Sequence, residues 1–107
     1  MADAHKLLEL AYTNEKQLKN ILALYSDFRS LAEKGNVDAL AVYLDIEFML
    51  GESGIIQSSK RREIFKLYFV LGYTQVEIAD VLNITQKAVS YNLTEGLKEI
   101  TAYYKFK

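Results

Sequence analysis

Four polar side chains in the C-terminal third of the chain have the spacing and the hydrogen-bonding groups needed to contact nucleic-acid bases. They are Gln86, Lys87, Ser90 and Tyr91. Residues at this spacing lie on one face of an α-helix. A glutamine can pair with adenine, a lysine with guanine and a serine with several bases, while a tyrosine can contact phosphate or a thymine methyl group. The spacing therefore predicts a helix face that contacts base edges in the major groove of double-stranded DNA.

The segment around this face has the pattern of a helix-turn-helix. Thr74 and Glu77 have capping-box spacing, in which each side chain satisfies an amide near the helix start. Asn83 tolerates the left-handed turn conformation, and Thr85 can cap the following helix. The apolar seam between the two helices is predicted to contain Ile78, Ala79, Leu82, Ile84, Val89, Leu93 and Leu97. The second helix, called the recognition helix from here on, is predicted over 86–104 and would present its N-terminal turns to the groove.

A cluster of cations, Lys60, Arg61 and Arg62, is predicted at the start of another helix, over 58–71. Cations at this end oppose the helix dipole and cost about 0.3–1 kcal/mol each. Contact with DNA phosphates or with an acidic protein would explain them. The alternative is a solvated cluster that Glu63 partly neutralises. The residues expected to contact the DNA backbone or a protein partner are Lys60, Arg61, Arg62, Thr74, Thr85 and Thr94.

Gly96 lies inside the predicted recognition helix, where a glycine costs about 1 kcal/mol relative to alanine. A close approach by the preceding helix would explain a residue without a Cβ atom. We therefore expect Gly96 to have a packing role.

The N-terminal half is predicted to be a helical hairpin. Its first helix covers 4–34, with a possible interruption at Thr13 and Asn14, and it stops at Gly35. The second helix covers 37–50 and is apolar nearly all round, which predicts that it is the most buried element. The loop that follows separates a hairpin over 1–54 from a helix-turn-helix unit over 55–107. We expect an all-α fold in which both units form one compact domain.

The first helix carries a stripe of residues at heptad spacing. The stripe consists of Ala4, Leu7, Ala11, Asn14, Leu18, Ile21, Tyr25, Phe28 and Ala32. Two interpretations remain open. The stripe either packs on the second helix of the same chain or forms a coiled-coil seam between two copies, with Asn14 as its polar position.

Composition excludes several classes of function. The chain of 107 residues has no cysteine, which rules out disulfides and thiolate metal sites. Its one histidine, His5, is near the N-terminus, where we expect it to be solvated. Nothing in the sequence combines a nucleophile with a base, so we expect no enzyme, no cofactor and no metal site. The chain also lacks a membrane-length apolar run and a signal-peptide pattern, which favours a cytoplasmic protein without a membrane partner.

The formal charge is distributed unevenly along the chain. Residues 1–57 contain five Lys/Arg and nine Asp/Glu, a net charge of −4. Residues 58–107 contain eight Lys/Arg and five Asp/Glu, a net charge of +3. The C-terminal half is therefore better suited to face an anion than the N-terminal half.

Residues 60–100 resemble region 4 of the sigma-70 family of RNA polymerase sigma factors. The resemblance is carried by residues 62–65, 67, 72–74, 77–79, 82–85, 88–90 and 97–100. Residues 35–46 resemble, more loosely, the corresponding segment of small sigma-like regulators from phages and prophages of Gram-positive bacteria. The chain departs from the family pattern in two ways: its recognition helix has no arginine, and Asn83 stands where the family usually has glycine.

The resemblance implies that Gln86, Lys87, Ser90 and Tyr91 contact bases of −35-like promoter DNA. It also implies docking on the flap of the RNA polymerase β subunit. The function expected is that of a DNA-binding transcription regulator, in the cytoplasm of a bacterium or of a phage-infected host. The first alternative is a protein-interaction module that binds RNA polymerase or another regulator without its own DNA specificity. The second is a phage DNA-packaging component.

Overall fold

A computed structural model describes residues 4–107 of the chain, and every regular element in this part is helical. The elements are α1 (Ala4–Ala11), α2 (Glu15–Ala23), α3 (Tyr25–Glu33), α4 (Val37–Leu50), α5 (Ser59–Phe65), a π-helical segment (Lys66–Val70), α6 (Gln75–Leu82) and α7 (Gln86–Phe106). The predicted all-α class is confirmed. In the described part of the chain, no helix is long and apolar enough to cross a membrane.

The predicted first helix is divided into three helices, so the prediction of one helix over 4–34 was wrong in part. The interruption at Thr13 and Asn14 is confirmed, because Asn14 caps α2 by accepting a hydrogen bond of 2.9 Å from the amide of Gln17. A second break occurs at Leu24, whose backbone leaves the helical conformation at φ −98° and ψ 16°. After this break, α3 packs along α4.

The turn between α3 and α4 follows the sequence pattern. Gly35 has a φ of +94°, in the left-handed region that glycine adopts without strain. Asn36 then caps α4, because its side-chain oxygen accepts a hydrogen bond of 2.9 Å from the amide of Ala39. The predicted bounds of this helix, 37–50, are therefore confirmed.

Among the described helices, α4 has the largest share of buried residues, as predicted, but only one of its faces is buried. Val42, Ile46 and Met49 are completely inaccessible to solvent. Leu44 and Phe48, on the opposite face, are half-exposed. The high apolar content of this helix therefore does not come from burial on all sides.

One hydrophobic core contains residues from both of the units predicted from the sequence. From the first unit come Leu18, Ile21 and Tyr25 of the heptad stripe, and their burial supports packing within the chain as the role of this part of the stripe. The side chain of Ala4, and residues 1–3 of the predicted hairpin, lie outside the described residues. The core continues into the second unit through Ile55, Ile56, Ile64, Phe65, Phe69, Ile78, Ala79, Val89, Leu93, Leu97 and Ile100.

A polar cluster joins α1 to α4. The fully buried Tyr12 donates a hydrogen bond of 3.0 Å to the carboxylate of Asp45, and burial raises the pKa of its phenol. The same Asp45 oxygen lies 2.5 Å from Nε2 of His5. This His5 nitrogen also lies 3.8 Å from a carboxylate oxygen of Glu9. The prediction that His5 would be solvated was wrong, because long-range packing brings Asp45 to it across 40 residues of sequence.

Candidate nucleic-acid interface

The helix-turn-helix begins at a capping box. The Thr74 hydroxyl accepts a hydrogen bond of 3.1 Å from the amide of Glu77, and the Glu77 carboxylate accepts one of 2.9 Å from the amide of Thr74. These bonds to its charged form lower the pKa of Glu77. The start of α6 is therefore fixed by local contacts, as the sequence predicted.

The turn between α6 and α7 depends on Asn83. This residue adopts the left-handed conformation, with φ 54° and ψ 50°. The amide of Ile84 then donates a hydrogen bond of 3.0 Å to the carbonyl of Ala79. Asn83 thus supplies the conformation for which it was singled out in the sequence, because asparagine tolerates the left-handed region better than most residues.

The seam between α6 and α7 is buried as predicted. Ile78 and Val89 are completely inaccessible to solvent, and Leu93 and Leu97 are nearly so. Leu82 and Ile84 pack against the core from its edge and are partly buried. With its apolar side occupied in this way, α7 is left with a polar face on its first two turns.

Gly96 allows α5 to approach α7 closely. A Cβ atom added to Gly96 would lie 2.2 Å from Cε1 of the Phe65 ring, far inside van der Waals contact. The predicted packing role is confirmed, but the neighbour belongs to α5 and not to the immediately preceding helix. This contact sets the position of α7 on the body of the protein.

The predicted helix over 58–71 ends differently from the prediction. Ser58 caps α5, because its hydroxyl accepts a hydrogen bond of 3.2 Å from the amide of Arg61. From Lys66 onward the helix is π-helical, and the amide of Leu71 bonds to the carbonyl of Lys66 at 3.0 Å. Phe69 is buried in this segment. π-Helical turns are rare and are frequent near functional sites.

The predicted base-contacting residues lie together on the solvent side of α7. Gln86, Lys87, Ser90 and Tyr91 are all exposed. They line a shallow depression of about 470 Å³ together with Gln75. Gln75 is the first residue of α6, and sequence reasoning missed it as a contact candidate. Its position directly after the capping residue Thr74 was the signal that could have identified it.

The N-terminal end of α7 is electrostatically open to an anion. Thr85 caps it by accepting a hydrogen bond of 3.0 Å from the amide of Ala88. The first turn contains no acidic residue, and Lys87 adds a positive charge to it. The free amides and the helix dipole at such an end favour a phosphate group.

The three cations at the start of α5 have separate environments. Lys60 is exposed. Arg61 bonds through its guanidinium to the Glu99 carboxylate, and its Nε donates to the side-chain oxygen of Asn92 at 3.1 Å. Arg62 donates two hydrogen bonds of 2.9 Å to the backbone carbonyls of residues 56 and 57. The partner of Arg61 is therefore Glu99 on α7, and not Glu63 as the solvated alternative assumed.

Of the three threonines predicted to contact DNA, two are helix caps and one is not. Thr74 and Thr85 are exposed N-caps whose hydroxyl oxygens already accept an amide hydrogen. Thr94 is exposed one turn beyond Ser90 on α7. All three therefore lie at the ends or on the outer side of the two helices of the motif.

One group in the described part of the chain has the composition of a metal site. Donor atoms of His5, Glu9 and Asp45 lie within 4.8 Å of one another. Both carboxylates already have neighbours, since Tyr12 donates to Asp45 and the Lys107 ammonium lies 3.7 Å from Glu9. The cluster lies on α1 and α4 and includes no residue of the helix-turn-helix, so it is separate from the candidate interface.

Comparison with known families assigns the C-terminal part of the chain. Residues 58–100 match the family model for sigma-70, region 4. The matched segment begins at the cap of α5 and ends inside α7, so it includes the capping box, the Asn83 turn and the exposed polar face. No curated protein and no solved structure matches the chain. Residues 58–100 thus form a helix-turn-helix similar to sigma-70 region 4. At the level of the family, this match indicates DNA binding and transcription regulation.

Proposed function

We propose that the protein is a DNA-binding transcription regulator in which α7 enters the major groove of promoter DNA. The observation that supports this most strongly is the N-terminal end of α7, where exposed polar side chains surround a helix start without acidic residues. A helix-turn-helix presents this part of its second helix to base edges.

The contacts proposed for the bases are those of Gln86, Lys87, Ser90 and Tyr91. Gln75 joins them because it lines the same depression and can bond to a base or a phosphate. The contacts proposed for the DNA backbone are those of Lys60, Thr74, Thr85 and Thr94, with Arg61 and Arg62 acting mainly on the position of α5.

DNA affinity in this scheme depends on few cations. The recognition helix contains no arginine, and two of the three cations of α5 are engaged within the chain. Each phosphate contact adds to affinity through the release of counterions, so a module with few of them binds weakly on its own. We propose that either RNA polymerase or a second copy of the chain supplements this binding, and that the second copy would pair through the segment predicted as the first helix, 4–34. We also propose that the protein acts in the cytoplasm.

The alternative function is a protein-interaction module that binds RNA polymerase or another regulator. The net charge of −4 on residues 1–57 favours this alternative, because an acidic surface repels DNA phosphates. The two functions are compatible if the acidic half binds a protein while the C-terminal half binds DNA.

Selection of duplexes from a random-sequence pool, followed by fluorescence anisotropy at several salt concentrations, tests the DNA proposal. We expect affinity to fall as the salt concentration rises, and Lys87→Ala to cost about 1–3 kcal/mol of binding free energy and to relax the preference for the selected sequence. Lys98→Ala is the matched control, because Lys98 is an exposed α7 lysine that pairs with Glu95 at 3.2 Å. A lack of binding at about 50 mM salt to every selected duplex would refute the proposal. Equal effects of the two lysine substitutions would refute the assigned face.

A further inference from the structure

An apolar line of side chains runs along the solvent side of α4. It consists of Val37, Leu40, Leu44 and Phe48, called the α4 stripe from here on, and these side chains are 77%, 42%, 55% and 44% exposed. Their spacing of three or four residues places them on one helix face. From first to last the stripe is about 17 Å long at a rise of 1.5 Å per residue. Phe48 also contacts Tyr103 of α7, which is 40% exposed and widens the apolar surface.

The α4 stripe is distinct from the buried face of the same helix. Val42, Ile46 and Met49 fill the core, so the helix is already fixed without the four stripe residues. Single exposed apolar side chains are ordinary on a protein surface, whereas a continuous apolar patch marks an interaction site. Both faces of α4 are thus apolar, and only one of them is fully buried within the chain.

The charged residues of α4 and of the loop that follows it are all acidic. Residues 35–57 contain four carboxylates and no lysine or arginine. Asp38, Glu47 and Glu52 are exposed, and Glu47 is held on the α3 side of the helix by a hydrogen bond of 2.6 Å from the hydroxyl of Tyr25. Basic groups at the edges of a partner would complement these carboxylates.

A shallow depression beside the stripe gives it a side wall. It has a volume of about 270 Å³ and lies between α3 and α4, where Leu40 and Tyr43 face Ala32 and Glu33. Arg29, the cation in this wall, is paired with Glu33 at 3.4 Å. A helix that lies along α4 can therefore insert apolar side chains between the stripe and α3, in the manner of ridges into grooves.

We propose that the α4 stripe is the docking surface for an amphipathic helix of a partner protein, with lysine or arginine at the edges of its apolar face. The length and the spacing of the stripe fit a helix of about three turns. A second copy of the chain is disfavoured, because two stripes face to face would bring the net charge of −4 on residues 1–57 of one copy toward the same charge on the other. The proposal goes beyond DNA binding, since none of its residues belongs to the helix-turn-helix.

Two synthetic peptides test the proposal on the full chain. One is an amphipathic helix of about 18 residues with leucines on one face and lysines at the edges, and the other has glutamates in place of the lysines. By fluorescence anisotropy, we expect the lysine peptide to bind at least about tenfold more tightly than the glutamate peptide. Leu44→Ser and Phe48→Ser should each reduce that binding by about tenfold or more. The control is Leu10→Ser, which removes a leucine that is 67% exposed on α1 and should have no effect.

Three results would overturn the proposal. They are equal binding of the lysine peptide to wild type and Leu44→Ser, equal binding of the two peptides, and a concentration-dependent dimer in light scattering that Leu44→Ser abolishes. Thermal unfolding of each variant verifies that the chain is folded. Leu44→Ser should leave salt-dependent DNA binding unchanged, whereas Lys87→Ala should leave peptide binding unchanged. Failure of the docking proposal is therefore distinguishable from failure of the DNA proposal.

Discussion

Gly96 of α7 lies directly against the ring of Phe65 in α5, and a Cβ atom there would meet ring carbons at 2.2 and 2.4 Å. Because Phe65 is completely buried, its ring cannot relieve this contact by turning out into solvent. We expect Gly96→Ala to destabilise the protein by overpacking, by about 1–3 kcal/mol. The better helix propensity of alanine offsets about 1 kcal/mol of this. Urea unfolding followed by circular dichroism measures the net effect.

A double-mutant cycle with Phe65→Ala identifies the cause. Phe65→Ala alone should destabilise the protein by about 3–5 kcal/mol, because it leaves a cavity. In that background the methyl group that Gly96→Ala adds has room, so this substitution should become neutral or stabilising. If the two effects are additive, the ring contact is not the reason for the glycine.

Structure set by neighbouring residues was predictable from the sequence. The Thr74–Glu77 capping box, the Asn83 turn and the Asn36 cap each depend on groups within three residues of one another. Such contacts form in almost any tertiary context, so residue type and spacing identify them. The polar face of α7 was predictable for a related reason, because its apolar seam has a clear helical period.

Structure set by distant residues was not predictable. The pairing of Arg61 with Glu99 spans 38 residues, and that of His5 with Asp45 spans 40. The residue types and spacing around Arg61 and around His5 do not indicate which residue of another helix will pair with them. The break at Leu24 also has no proline, glycine or capping residue to mark it.

The exposed face of α4 shows a third limit of the sequence pattern. Apolar residues all round a helix are the normal sign of complete burial. The same pattern results when one face fills the core and the other is available to a partner. Leu44 and Val42 are alike in chemistry, and only the position of the neighbouring helices distinguishes them.

The second prediction concerns Arg61, whose side chain is 20% exposed and whose guanidinium is engaged by Glu99 and Asn92. Arg61→Ala removes both bonds and leaves the Glu99 carboxylate without this cation. We expect a loss of about 1–3 kcal/mol in the free energy of unfolding. DNA affinity should fall as well, because the packing of α5 on α7 positions the recognition helix.

The exposed Lys60 provides the matched control for Arg61. Lys60→Ala should leave the free energy of unfolding within about 0.5 kcal/mol of wild type. It should still weaken DNA binding and reduce its salt dependence if Lys60 contacts a phosphate. Equal stability of Arg61→Ala and Lys60→Ala would contradict a structural role for Arg61.

The third prediction concerns the pH dependence of the capping box. The amide of Thr74 donates to the Glu77 carboxylate and thereby lowers the pKa of this residue below its ordinary value of 4.5. A carboxyl with a lowered folded pKa stabilises the protein above its unfolded pKa, and this contribution is lost as the pH falls through the folded pKa. We therefore expect wild type to lose stability below about pH 4.5, and Glu77→Gln to lose less over the same range.

Thr74→Ala separates the cap from the charge. It removes the acceptor for the Glu77 amide and should cost about 1 kcal/mol at neutral pH. Thermal unfolding from about pH 3 to pH 7, within the range where carboxyl groups titrate, compares the three proteins. Identical acid slopes for wild type and Glu77→Gln would show that the lowered pKa of Glu77 does not contribute to stability.

The fourth prediction concerns Tyr12, whose hydroxyl donates to Asp45 at 3.0 Å while its ring packs on Tyr104 with centroids 4.8 Å apart. Burial and the Asp45 carboxylate raise the pKa of this phenol above its ordinary value of 10.0. Since the neutral phenol is favoured in the folded state, its contribution is complete below pH 10 and declines as the pH rises above that value. Tyr12→Phe keeps the ring but removes the titration, so we expect a shallower loss of stability in alkali.

At pH 7 the same variant should be less stable by about 1.5–3 kcal/mol, because a hydrogen bond to a charged group is lost. Urea unfolding at pH 7 and at several values above pH 10 measures both effects. An alkaline slope equal to that of wild type would show that the pKa of the Tyr12 phenol does not differ between the folded and unfolded states.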